Sequence, residues 1–137
     1  MTVKHYLQRA FIINRQILSD EAQLEVIKTD LERITPMLSD MPKGAQVGSK
    51  IEKGVAVMVD LKSKLEDELK GLYEAKAEIS NVIDLVPDES AKPVLQMRYL
   101  ALMPFKDIAE RLNYTERQIY NLHDYALTLV EIPETFQ

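Results

Sequence analysis

Apolar residues at Ala10, Ile13, Ile17, Leu24, Ile27, Leu31, Ile34, Leu38 and Met41 recur at alternating intervals of three and four, broken at Asp20. That spacing keeps one stripe on one side of a helix and defines a heptad seam. A second seam uses Ile51, Val55, Met58, Leu65, Leu69, Leu72, Ile79, Ile83 and Val86, with Lys62 and Lys76 at the intervening positions. Long lysine stems can cover apolar surface while the amine reaches water. The first seam predicts a helix from about Val3 to about Leu38, with Pro36 able to kink or shorten its end. The second predicts a helix from about Gly48 to about Val86. Each would be roughly 50–55 Å long. Between them SDMPKGAQVGS, with Pro and two Gly, reads as a loop. Two long helices of matched length about one loop predict an antiparallel, coiled-coil-like hairpin.

A hairpin two helices thick buries one stripe of each helix. Phe11, Leu18, Val59 and Leu61 widen the stripes beyond that seam. Self-association is therefore expected, most simply as a homodimer.

Val86-Pro87-Asp88 breaks the pattern, because proline disfavours helix for the residue before it. The sequence divides there into residues 1–87, a hairpin for dimerisation or partner docking, and residues 88–137. Asp88 or Ser90 can cap the next helix, and Pro93 is tolerable only near its start. That helix carries Val94, Leu95, Met97, Arg98, Tyr99 and Leu100, and Met103-Pro104 ends it.

FKDIAERLNYTERQIYNLHDYAL, Phe105 to Leu127, has the spacing of a helix-turn-helix. Ala109 is small where two helices would cross. Asn113 falls at the turn, and Asn tolerates the left-handed conformation better than most residues. Ile119 and Leu122 would pack back on the first helix. Thr115 and Gln118 form a T-x-x-Q capping box that starts a helix at Glu116. The opposite face shows Glu116, Arg117, Tyr120, Asn121 and Asp124. Arg, Asn and Glu can read guanine, adenine and cytosine edges in the major groove, and Tyr120 can pack on the backbone. Lys106, Arg111, Thr115 and Gln118 are the candidate DNA-backbone contacts. The expected architecture is all-α: a long hairpin followed by a helix-turn-helix.

The stretch from Val94 to Leu127, with RYL before FKDIAERLNYTERQIYNLHDYAL, resembles region 4 of bacterial sigma-70 factors, the module that reads an upstream promoter element. The whole chain resembles small phage and prophage proteins of Gram-positive bacteria related to the ArpU and RinA late-gene regulators. The likeness takes in the YLQR start, the L-S-D-M-P-K-G loop and the R-Y-L…I-A-x-x-L-x-Y-T-x-R-Q-I-Y end. It implies a sigma-70 region-4-like transcription regulator with double-stranded DNA as partner, and bacterial RNA polymerase as a candidate second partner. Position by position, the base-reading sites fall on Glu116, Arg117 and Asn121. Arg117 stands where sigma factors are usually acidic and Glu116 where they are usually basic, so the promoter preference does not carry over. Pro104 replaces a usual Ser or Thr cap, a loss on the order of 1 kcal/mol.

Charge sets limits. The net charge is −5, which argues against a general nucleic-acid or membrane coat. From Asp88 onward there are five basic and eight acidic residues. The basic groups able to line one face there are Lys92, Arg98, Lys106, Arg111 and Arg117. Lys4, Arg9 and Arg15 make the first residues basic, and Lys43, Lys50 and Lys53 cluster near the hairpin loop. With so few cations, DNA binding is expected to be weak and salt-sensitive without a second subunit or a partner.

Several classes are set aside. GAQVGSK lacks the order of a phosphate loop. His5 and His123 have no metal-ligand spacing, and there is no cysteine. Packing or a backbone contact is the expected role of His123. Glu66, Asp67 and Glu68 read as solvated helix surface. No enzyme activity, cofactor or metal is expected. No apolar run reaches the ~18 residues that span a bilayer, and MTVKHYLQR turns polar too early for a secretory signal. A cytoplasmic protein of a bacterial host is expected. Two other readings remain open: a small terminase subunit that recognises packaging sites, and a protein–protein adaptor that never touches DNA.

Overall fold

The computed structural model describes residues 1–39 and 46–137. Among the described residues every regular element is helical. α1 spans Val3–Ser39 and α2 spans Gln46–Asp84. α1 continues through Pro36 to Ser39, so the proline does not shorten it. The loop expected over residues 39–49 is shorter than its Gly and Pro content suggested: Ser39 and Gln46–Ser49 are helical. Its remaining residues, 40–45, lie outside the described residues. α2 ends at Asp84, and Val86 N–H closes the last turn on the Ile83 carbonyl at 3.0 Å.

The chain forms two compact units. One is residues 15–73, which takes in α1 from Arg15 to its C-terminal end and α2 from its start to Tyr73. Its seam is buried at Ile17, Leu24, Ile27, Leu65 and Leu69. Tyr73 donates a hydrogen bond to Glu21 across the helices. Lys62 is half-buried, as a stem lying along apolar surface should be, and its amine reaches Glu66 at 3.4 Å. Toward the loop end the burial fades: Leu31, Ile34, Ile51, Val55 and Met58 are only half-buried. Asp20 occupies the break in the first seam, 1% exposed, its Oδ1 accepting from Gln16 Nε2 at 2.8 Å.

The other unit joins residues 1–14 and 74–137. Here the antiparallel pairing of α1 and α2 is marked by the Tyr6 hydroxyl, which donates to Glu78 Oε1 at 2.8 Å. Tyr6, Leu7, Ile79 and Ile83 are fully buried. Asp88 Oδ1 accepts from the backbone N–H groups of Ser90 and Ala91 at 2.8 and 2.9 Å and closes the turn before the next helix, whose own N-cap position, Ala91, has no side-chain cap, so neither Asp88 nor Ser90 is the cap. α3 (Lys92–Leu95) starts there, with Pro93 in its first turn where no N–H is needed.

The helix expected to carry Val94 to Leu100 and end at Met103-Pro104 does not continue as an α-helix beyond Leu95. Instead residues Gln96–Leu100 form a π-helical turn, closed by Ala101 N–H on the Gln96 carbonyl at 3.0 Å. The chain then bends through Leu102 at φ 58°, a left-handed conformation uncommon for a bulky residue. Two bonds hold it: Met103 N–H to the Met97 carbonyl at 3.0 Å, and Arg98 Nη1 to the Met103 carbonyl at 3.0 Å. α4 (Phe105–Leu112) and α5 (Glu116–Leu129) follow. A short 3₁₀ turn, Glu134–Phe136, ends the chain, and Phe136 meets the Tyr6 ring edge-on at 5.1 Å.

Candidate nucleic-acid interface

α4 and α5 are joined by three residues. Asn113 adopts φ 58°, ψ 40°, the left-handed cap that a short polar side chain tolerates. Thr115 Oγ1 accepts from Gln118 N–H at 3.2 Å, and Gln118 Oε1 accepts from Thr115 N–H at 2.8 Å, so the capping box is complete. α4 starts at Pro104 with no side-chain cap, as the missing hydroxyl required. Val94, Ile108, Ala109 and Ile119 form the buried core between α3, α4 and α5, with Met97, Met103, Phe105, Leu112 and Leu122 against it. Ala109 is 4% exposed at the crossing of α4 and α5. This core fixes which face of α5 looks outward.

That outward face carries Glu116, Arg117, Tyr120, Asn121 and Asp124, all exposed. Lys106, Arg111, Thr115 and Gln118 are exposed as well. Three details change what these side chains can offer. Thr115 and Gln118 each spend an acceptor oxygen on the cap, which leaves the hydroxyl proton and the Gln118 amide NH₂ as donors. The Tyr120 ring lies 4.7 Å from the Phe105 ring, so one face of it is packed and its hydroxyl end is the free part. Lys106 and Arg111 share the exposed side of α4 with Asp107 and Glu110, an interleaved rather than basic surface.

Arg98, one of the basic groups able to line this face, is committed elsewhere. Its guanidinium lies 4.8 Å from the Phe11 ring and 4.4 Å from the Phe105 ring while it holds the Met103 carbonyl. Arg9 is likewise stacked over Phe136 at 4.4 Å and Tyr6 at 5.4 Å. Stacked guanidinium groups of this kind stabilise a fold by cation–π attraction. Phe11, which widened the first seam in sequence, serves this contact and packs 5.7 Å from Tyr99. The cations left on the α4–α5 surface are Lys106, Arg111 and Arg117.

Behind α5 lies a buried polar pair. The Tyr99 hydroxyl is 2.7 Å from His123 Nε2, and His123 is 4% exposed. Asp124 Oδ1 sits 3.7 Å from Nδ1, which favours the proton there, so the tyrosine donates to Nε2. The pair also lines a cleft of about 190 Å³ with Lys4, Phe11, Arg98 and Phe105. The packing role expected of His123 is the observed one: Ile119, His123 and Ala126 make one buried stripe on α5. Nothing in the spacing pointed to Tyr99 as its partner.

Burial pushes the His123 pKa below 6.5, with the Asp124 carboxylate opposing the shift and Lys4 and Arg98 adding to it. Burial likewise raises the Tyr99 hydroxyl, with Arg98 opposing. The imidazole is therefore neutral when folded and takes a proton more readily when unfolded. Its contribution is intact above the unfolded value and is lost as pH falls through that value toward the folded one. The melting temperature should hold between about pH 8 and 7 and decline below about pH 6.5. His123→Gln should flatten that decline, measured by circular dichroism. An identical slope in the variant would exclude His123 as its source.

No helix among the described residues is long and apolar enough to cross a membrane. No curated protein and no solved structure matches the chain. The family model described as "Protein of unknown function (DUF1492)" matches residues 34–131, from the last turns of α1 to just beyond α5. That span is most of the sequence, and the chain belongs to the DUF1492 family.

Proposed function

We propose that this protein is a sequence-specific DNA-binding transcription regulator of phage late genes, in which α4 and α5 act as a sigma-70 region-4-like helix-turn-helix. It works in the bacterial cytoplasm as an oligomer, with RNA polymerase as a candidate partner. The observation that carries the reading is the exposed outer face of α5, set by a left-handed turn at Asn113, a complete capping box and a buried inner stripe. Base edges are read by Glu116, Arg117, Tyr120 and Asn121. The backbone is held by Lys106, Arg111, the two remaining donors of Thr115 and Gln118, and the N-terminal end of α5.

With Arg98 withdrawn into the fold and Arg117 on base edges, Lys106 and Arg111 are the α4–α5 cations left for phosphate. The binding constant should then fall with salt at a log–log slope of about −2 per subunit. Arg117→Ala should cost roughly 1–3 kcal/mol at one base position and relax preference there. Lys106→Ala should weaken every sequence alike and shrink the slope by about one. A selected-site enrichment followed by fluorescence anisotropy at several salt concentrations measures both. Equal effects of the two variants on all sequences would remove Arg117 as a base reader. Polymerase capture with no DNA footprint would favour the adaptor reading, which the interleaved acids of α4 support.

A further inference from the structure

Between Gly54 and Leu61, α2 reads GVAVMVDL, apolar at every position except Asp60, yet none of these residues is buried. Val57 is 66% exposed and Leu61 42%. A helix apolar on every side is normally covered on every side. The α1 partner covers only the seam side.

The outward strip of α2 can be traced residue by residue at three- and four-residue intervals: Lys50, Lys53, Val57, Leu61, Lys64 and Glu68, with Asp67 beside the last. All are exposed. The strip is basic at its N-terminal end (Lys50, Lys53), apolar at Val57 and Leu61 with Asp60 at their flank, and mixed beyond, where Lys64 is followed by Asp67 and Glu68. Gly54 and Gly71 lie on the same strip with open space above each, so a neighbouring backbone could approach closely at both ends.

We infer that this strip is the self-association surface, and that its occupant is α2 of a second copy, antiparallel, about a two-fold axis near Leu61. A two-fold interface uses the same patch on both subunits, so that patch must complement itself. This one does so in one orientation only. Antiparallel, Leu61 meets Leu61 of the second copy, the Lys64 stem crosses Val57 of the second copy, and Lys53 faces Glu68 of the second copy. Parallel, lysines would meet lysines and acids would meet acids. Unlike charges across a contact fix partner and register, while the apolar centre supplies the attraction.

This deepens the self-association in the proposed function, and it is tested without DNA. Sedimentation equilibrium of the full chain at micromolar concentration should give a dimer. Lys53→Glu and Glu68→Lys should each raise the dimer dissociation constant at least about tenfold, and the double variant should recover most of the loss. Leu61→Asp should give monomers with unchanged helical circular dichroism. A monomeric wild type, or a dimer indifferent to Leu61→Asp, would overturn the surface. Failure of the double variant to recover would overturn the antiparallel register. None of these outcomes bears on whether α5 reads DNA, which the binding assays with Arg117→Ala decide.

Discussion

Ile119→Ala should cost roughly 2–5 kcal/mol and unfold much of the C-terminal helical module at 37 °C. Ile119 is fully buried among Val94, Ile108 and Ala109, where α3, α4 and α5 meet. Removing three carbons forfeits their transfer energy and leaves a cavity that a core this small can only partly close. That loss is large against the ~5–15 kcal/mol that holds a typical domain. Two neighbours supply the scale. Thr115→Ala removes one half of the capping box and should cost about 1 kcal/mol. Glu116→Ala, on the exposed face, should stay within about ±0.5 kcal/mol. Urea unfolding followed by circular dichroism separates the three. Because the chain forms two compact units, the curve should be fitted for two transitions, with only one displaced. An Ile119→Ala loss no greater than that of Thr115→Ala would mean that the inner face of α5 is not the core, and the assignment of Arg117 and Asn121 to the outer face would fall with it.

The long helices and the α4–α5 turn were legible because their signals are local. A seam read at three and four gives helix, length and buried side at once, and Thr115 with Gln118 announces a helix start within four residues. Asn113 could be placed at the turn because few other side chains accept φ 58°. The π-helical turn at Gln96–Leu100 was not legible. It depends on Arg98 and Met97 reaching forward to Met103, a tertiary arrangement without a sequence period. The fate of the cations was hidden for the same reason. Arg98 and Arg9 look like phosphate ligands until Phe11, Phe105 and Phe136 are seen against them. Composition counts charges, and only packing shows which are spoken for. The consequence is physical: the acidic balance of the C-terminal segment understates how few cations its surface can lend to DNA.

Asp20→Leu should stabilise the middle of the hairpin by about 1–4 kcal/mol. Asp20 lies between Ile17 and Leu24 on the buried seam, 1% exposed. Gln16 satisfies one carboxylate oxygen, and the other, Oδ2, is buried with no partner among the described residues. Taking an ionised carboxylate from water costs several kcal/mol even after relaxation, and one neutral amide donor offsets only part of it. Leucine at this position would complete an unbroken seam from Ile13 to Ile27. Asp20→Asn should recover part of the gain, because it removes the charge and keeps the polar atoms. Thermal and urea unfolding measure the order, with Leu above Asn above wild type. A wild type more stable than both would show that the carboxylate is compensated in solution. The gain should carry a cost in uniqueness. A polar group at one seam position penalises every pairing that would bury it against an apolar neighbour, and so fixes register. Without it, register around the strip from Lys50 to Glu68 rests on the Tyr73–Glu21 bond and an unbroken apolar seam that discriminates less between neighbouring alignments. Asp20→Leu should therefore melt higher yet give broader sedimentation profiles than the wild type, stability gained where specificity is lost.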